Sequence, residues 1–205
     1  MAKRLLVLGL LVAGVTDHAL AQNGGQRAVV GIRSGLIAGS MSLSKLDPAF
    51  ADLDYDGPKG PHMSGFFFLY QVRPHLRLGV ETLVANSDET AGTTMSYQAA
   101  GPVAELTVGT TWFASLGVHA GGVVVNAMTR DDVGATTDAN TGATRGTFLK
   151  ANGGFVAPYI DVGYRYRRAE LGLYAKHASL RGGSNRGGIA PFSATFLGLR
   201  LGLRL

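Results

Sequence analysis

The segment FLGLRLGLRL, residues 196–205, places leucine at every odd position from Leu197 to Leu205. Gly198, Arg200, Gly202 and Arg204 fill the even ones. Successive side chains of an extended chain point to opposite faces. This stretch is therefore a strand with one hydrocarbon face and one face of glycine and arginine. Such a strand needs a setting that tolerates both, and that requirement limits the folds open to the whole chain.

Seven further stretches show the same period of two, at about 28–39, 63–73, 75–85, 95–108, 111–125, 151–166 and 169–179. In the fifth, Trp112, Ala114, Leu116 and Val118 alternate with Ser115, Gly117 and His119. No convincing helical period follows residue 22. The eight strands are joined alternately by short and long connections. Arg73-Pro74-His75, Gly109-Thr110 and Arg167-Arg168 are tight turns. The stretches 40–62, 86–94, 126–150 and 180–192 read as long loops, rich in Gly, Asp, Asn, Thr and Pro. Short turns at one end and long loops at the other, with an even strand number, are the layout of an outer-membrane barrel. The expected fold is all-β: an eight-stranded antiparallel transmembrane up-and-down β-barrel. A soluble calycin-like barrel, apolar inside and polar outside, has the same periodicity and is the competing fold.

In hydrocarbon every backbone N–H and C=O must be paired within the protein, so a spanning sheet has to close on itself. A charge on its lipid face costs roughly 2–4 kcal/mol at mid-bilayer. The charged row therefore belongs inside. By parity that row holds Arg33, Gln71, Arg73, Arg77, Glu81, Glu105, His119, Asp161, Arg165, Glu170, Lys176, Arg200 and Arg204. Both signs are present, and eight strands leave a bore only wide enough for side chains. The expected interior is a plug of ion pairs, with glycines thinning the wall where large side chains meet. Tyr70, Trp112, Tyr164 and Tyr166 lie near the tight turns, as an interfacial girdle would, while Phe66 and Phe196 lie nearer the other end.

Lys3 and Arg4 precede an apolar run from Leu5 to Val15, and Ala19-Leu20-Ala21 is a small-x-small cleavage sequence. Residues 1–21 read as an export signal, leaving 22–205 as the barrel, in the outer membrane of a Gram-negative bacterium. The chain has 30 glycines, no cysteine and a formal charge of +5. Without disulfides an exported chain relies on backbone pairing and packing. The basic excess is scattered rather than gathered with aromatics on one face, which together with export argues against nucleic acid.

The stretches GIRSGLIAGS, GFFFLYQVRPHLRLGVETL (with Glu81 in the third strand), MSYQAAGPVAEL and the closing GLRLGLRL resemble the PorT-like family of outer-membrane β-barrels. The resemblance spans most of residues 22–205. It implies an outer-membrane barrel, in a family whose members are mostly of undefined activity and some of which are tied to protein secretion. Such barrels usually finish on an aromatic residue read by the assembly machinery, where this chain has Leu205.

The segment YAKHASLRGGSNRGG is similar to one in the outer-membrane lipid A 3-O-deacylases. That similarity implies a nucleophile at Ser179 and a base at His177, two apart and so on one face, toward the lipid. A carboxylate should orient the histidine, but no Asp or Glu follows Glu170, and the asparagine usual after the serine is Leu180. DLDYDG, residues 52–57, matches the start of a calcium loop through Asp52, Asp54 and Asp56. Its twelfth position is Met63 rather than glutamate, so a solvated acidic loop is the alternative. His62, His75 and His119 lack zinc spacing, and no cofactor is expected.

These observations point first to a structural, interaction or secretion-associated protein working through its extracellular loops. An esterase using His177 and Ser179 is the alternative, and a narrow solute channel a further one. Expected partners are outer-membrane lipid and lipopolysaccharide, the barrel-assembly machinery, and a protein at the loops.

Overall fold

A computed structural model describes residues 27–38, 62–86, 93–129, 136–137, 144–145, 148–184 and 189–205. The segment 1–21 and the acidic stretch with Asp52, Asp54 and Asp56 lie outside the described residues. The wall is formed by β1 (Ala28–Ala38), β2 (His62–Arg73), β3 (Leu76–Asn86), β4 (Thr93–Val108), β5 (Trp112–Thr129), β8 (Phe148–Tyr166), β9 (Ala169–Ser184) and β10 (Ile189–Arg204). Two short strands, β6 (Thr136–Thr137) and β7 (Thr144–Arg145), pair with each other between β5 and β8. The eight wall strands form one closed barrel in the order β1-β10-β9-β8-β5-β4-β3-β2, every pairing antiparallel.

Closure is made by β1 on β10, from Val29↔Arg204 to Ala38↔Thr195. Beyond that ladder the Leu205 amide donates to Ala28 O at 2.8 Å. Closing the sheet this way leaves no unpaired edge. The register sets GIRSG against GLRLG, pairing Gly31 with Gly202, Arg33 with Arg200 and Gly35 with Gly198. The backbones crowd here. A Cβ on Gly35 would lie 2.1 Å from Leu197 O and 2.7 Å from Gly198 Cα.

Two of the long connections are shorter than the sequence suggests. Residues 180–192 read as a loop, but β9 runs on to Ser184 and β10 begins at Ile189, with Phe192 opposite Leu180 and Ile189 opposite Gly183. Glycine favours turns because it lacks a Cβ and serine because its hydroxyl bonds locally, yet an antiparallel ladder is held by backbone groups that every residue but proline supplies in full. The stretch 126–150 is shortened in the same way, because β5 continues to Thr129 and β8 starts at Phe148.

The outer face carries leucine, valine and aromatic side chains, among them Phe66 at 71% exposure, Trp112 at 73% and Leu197, Leu199, Leu201 and Leu203. The interior changes character along its length. Toward the tight turns an ionic row is packed against a small apolar cluster of Val29, Phe67, Leu69, Val103 and Tyr159. Toward the long loops it is apolar, built from Ile37, Met63, Leu83, Tyr97, Phe155, Phe196 and their neighbours. Phe196 is thus a core residue rather than part of an outer rim. Strands such as Phe66-Phe67-Phe68-Leu69 are apolar on both faces, with Phe66 and Phe68 outside and Phe67 and Leu69 inside. A strand covered on both sides is expected to read this way.

Candidate functional site: the enclosed ionic cluster

The interior of the turn half brings together side chains from seven strands. Arg33 comes from β1, Arg77 and Glu81 from β3, Glu105 from β4 and His119 from β5. Asp161 comes from β8, Glu170 and Lys176 from β9, and Arg200 from β10; all are buried. Arg33 and Arg200 sit directly opposite each other across the closing seam. Like charges so placed repel. Here two carboxylates lie between them. Asp161 Oδ2 is 2.9 Å from Arg33 Nη2 and 2.6 Å from Arg200 Nη1. Glu105 Oε2 is 2.9 Å from Arg200 Nη1 and 3.6 Å from Arg33 Nη2.

The cluster extends along the bore from this centre. Toward the turns, Arg77 reaches Glu105 Oε1 at 3.1 Å and Glu170 Oε1 at 3.0 Å, and Arg165 Nε meets the same Glu170 oxygen at 3.0 Å. Arg200 Nη2 closes the set on Glu170 Oε2 at 3.1 Å. Toward the loops, Glu81 is paired with Arg33 and accepts from Lys176 Nζ at 2.5 Å. His119 Nδ1 lies 3.5 Å from Lys176 Nζ, and its ring meets Phe155 edge-on. Each of Glu81, Glu105, Asp161 and Glu170 therefore contacts at least two cationic side chains. Arg165, half-buried, is held at the rim by Thr110 O at 3.2 Å and over the Phe113 ring.

Parity identified the ionic row but not the groups that line it. Tyr159, on the same row as Asp161, donates to Glu105 Oε2 at 3.0 Å, and its ring lies 4.4 Å from the Arg33 guanidinium. Thr107 donates to Glu105 Oε1 at 2.9 Å and meets the Ser115 hydroxyl at 2.9 Å. Phe67 packs under both Arg33 and Arg200. The signal for Tyr159 was present, since it lies two residues before Asp161. Among the other residues expected inside, Gln71 donates to Pro74 O at 2.8 Å near the turn. Arg73 is exposed and Arg204 half-buried at the same rim.

His177 and Ser179 both face outward from β9. His177 Nδ1 is 2.9 Å from Thr195 Oγ1 on β10. The four carboxylate side chains among the described residues are all inside the barrel, so none of them orients this histidine. The described residues include no group of three or more His, Cys, Asp or Glu able to hold a metal ion. Tyr70, Trp112, Tyr164 and Tyr166 all project outward near the turns, with Trp112 and Tyr164 in edge contact at 5.0 Å.

A closed antiparallel wall with hydrocarbon outside and an ion-paired row within defines an eight-stranded transmembrane up-and-down β-barrel. The calycin-like alternative required the opposite assignment of faces. The fold is similar to that of Neisserial surface protein A, with a TM-score of 0.54 and 14% identity over 87% of this chain and 96% of that one. It is also similar to Ail, the attachment invasion locus protein of Yersinia pestis, at a TM-score of 0.53 and 9% identity over 88% and 99% of the two chains. At such identities the likeness is one of fold. No family model matches the chain, and no curated protein matches it.

Proposed function

We propose that this chain is an outer-membrane barrel of a Gram-negative bacterium with a non-conducting interior, acting as a structural or interaction protein through the loops at its long-loop end. Residues 1–21 serve as its export signal, the barrel-assembly machinery inserts residues 22–205, and lipid and lipopolysaccharide surround it. The observation that carries this reading is the two-layer interior. The buried ion pairs of Arg33, Arg200, Glu105 and Asp161 lie in one half of the bore, and the apolar cluster around Tyr97 and Phe196 lies in the other. Eight strands leave little room beyond side chains. The names of the similar structures, a surface protein and an attachment invasion locus protein, agree with a role at the cell surface. A secretion-associated role of the PorT-like kind is a more specific form of the proposal and rests on the sequence resemblance.

The expressed chain is expected to fractionate with the outer membrane and, once purified, to shift in gel mobility on heating and to give no steady single-channel conductance in planar bilayers. Discrete, reproducible openings would refute the non-conducting interior and move the assignment to a narrow channel.

The esterase reading keeps one supporting observation, the shared outward face of His177 and Ser179. Against it, the Nδ1 atom that a carboxylate would hold is engaged by Thr195. Expression of the chain is accordingly expected to leave the mass of host lipid A unchanged. Loss of one acyl chain from lipid A, abolished by Ser179→Ala, would establish the esterase instead.

A further inference from the structure

Anionic side chains and part of the cationic ones are placed differently among the described residues. The described carboxylate side chains are all enclosed, whereas the arginines Arg27, Arg73, Arg167 and Arg168 are exposed at the tight-turn rim. These arginines are not spread evenly around the rim. The Arg204 amide donates to Arg168 O at 2.7 Å, the Leu205 amide to Ala28 O at 2.8 Å, and the Gln71 amide to Arg27 O at 2.6 Å. The ends of β9, β10, β1 and β2 are thereby linked side by side, and the arginines form one arc across them. At the turn between β4 and β5, Gly109-Thr110-Thr111, the one arginine is Arg165, half-buried and turned onto Thr110 O at 3.2 Å, and the outward side chains are Trp112 and Tyr164.

The arc lies immediately beyond the hydrocarbon belt. Leu203, Leu171, Tyr70 and Val72 are the exposed outward side chains next to it. The Arg167 guanidinium lies 5.3 Å from the centre of the Tyr166 ring, on the outward face. A guanidinium at that depth meets lipid headgroups, and its planar fork matches two phosphate oxygens. Several such groups in a row attract an anionic surface over a distance set by salt screening.

We infer that this arginine arc binds the phosphates of anionic phospholipids, of the phosphatidylglycerol class, in the leaflet at the tight-turn end. The inference rests on the membrane reading proposed above. The arc orients the barrel by one side: its β9-β10-β1-β2 wall gathers anionic lipid, and the aromatic wall does not.

The full chain, refolded in phosphatidylcholine bilayers, is tested with spin-labelled phosphatidylglycerol and spin-labelled phosphatidylcholine by measuring the motionally restricted lipid fraction. The association ratio of the two lipids is expected to be about threefold in favour of phosphatidylglycerol. It should fall to near one in the triple variant Arg73→Gln/Arg167→Gln/Arg168→Gln, and also in molar salt. The heat-dependent gel shift is recorded for each protein. Its absence from the unaltered chain in every lipid would refute the membrane reading itself, a result distinct from a folded barrel without lipid preference. If the triple variant does not fold, the three single substitutions replace it, each expected to lower the ratio. A ratio of one in the folded parent overturns the inference. So does a preference that survives the triple variant but is lost in Arg181→Gln, whose exposed arginine lies on β9 toward the other rim. Binding of a soluble acidic polymer in preference to phosphatidylglycerol would likewise overturn it.

Discussion

Replacing Arg200 with alanine destabilises the barrel by about 3–5 kcal/mol, the usual cost of removing one member of a buried ion pair. Arg200 contacts Glu105, Asp161 and Glu170, and all four side chains are buried. The carboxylates stay behind in the bore with less cationic charge than they were built around. Urea unfolding in detergent micelles, followed by the heat-dependent gel shift, measures the loss. A double-mutant cycle separates the pair from its setting. Asp161→Asn alone leaves Arg33 and Arg200 facing each other with one fewer anion between them. Combined with Arg200→Ala, it removes one charge of each sign. The double variant is expected to lose less than the sum of the two singles, by about 0.5–3 kcal/mol. Strict additivity would show that the two charges do not interact.

The second large effect is expected at the closing seam. Gly198→Ala places a Cβ 2.2 Å from Ser34 O and 2.6 Å from Gly35 Cα. Both are backbone atoms that cannot rotate away, so the added methyl separates β1 from β10 or bends them apart. Overpacking commonly costs about 1–3 kcal/mol, and a rigid neighbour puts this site at the upper end of that range or beyond. Gly122→Ala is the control. It lies in β5, and nothing comes within 4 Å of its added Cβ. The control should refold to the heat-shifting form with the parent's yield, and Gly198→Ala should not. Equal yields would show that the seam is loose enough to absorb a methyl group.

The sequence carried the assignment of faces where the two rows differ in chemistry. Arg33, Glu81, Glu105, Asp161, Lys176 and Arg200 could be placed inside because leucine or valine flanks most of them on the opposite parity. The apolar side chains of the interior were hidden for the converse reason. Met63, Phe67, Leu69 and Leu83 stand in strands that are hydrophobic on both faces, where parity distinguishes nothing. The extension of β9 through Arg181-Gly182-Gly183-Ser184 was masked by turn-forming side chains, although the ladder needs only their backbone. Register was the other missing quantity. Alternation says which side of the wall a residue takes, not which residue it meets, so the apposition of Arg33 and Arg200 required the folded structure. One signal for it was present. The arrangement glycine, any residue, arginine, any residue, glycine occurs on the first strand and again on the last, and reads the same from either end.

That mirrored spelling affects assembly. Before closure, each terminal strand is a template for the other, and the last strand of a second molecule offers the first strand an identical fit. Self-closure wins only because the two ends share one tether, which holds their mutual concentration high. Where many unclosed copies crowd one insertion site, the same lettering makes head-to-tail exchange between neighbours the natural competing product.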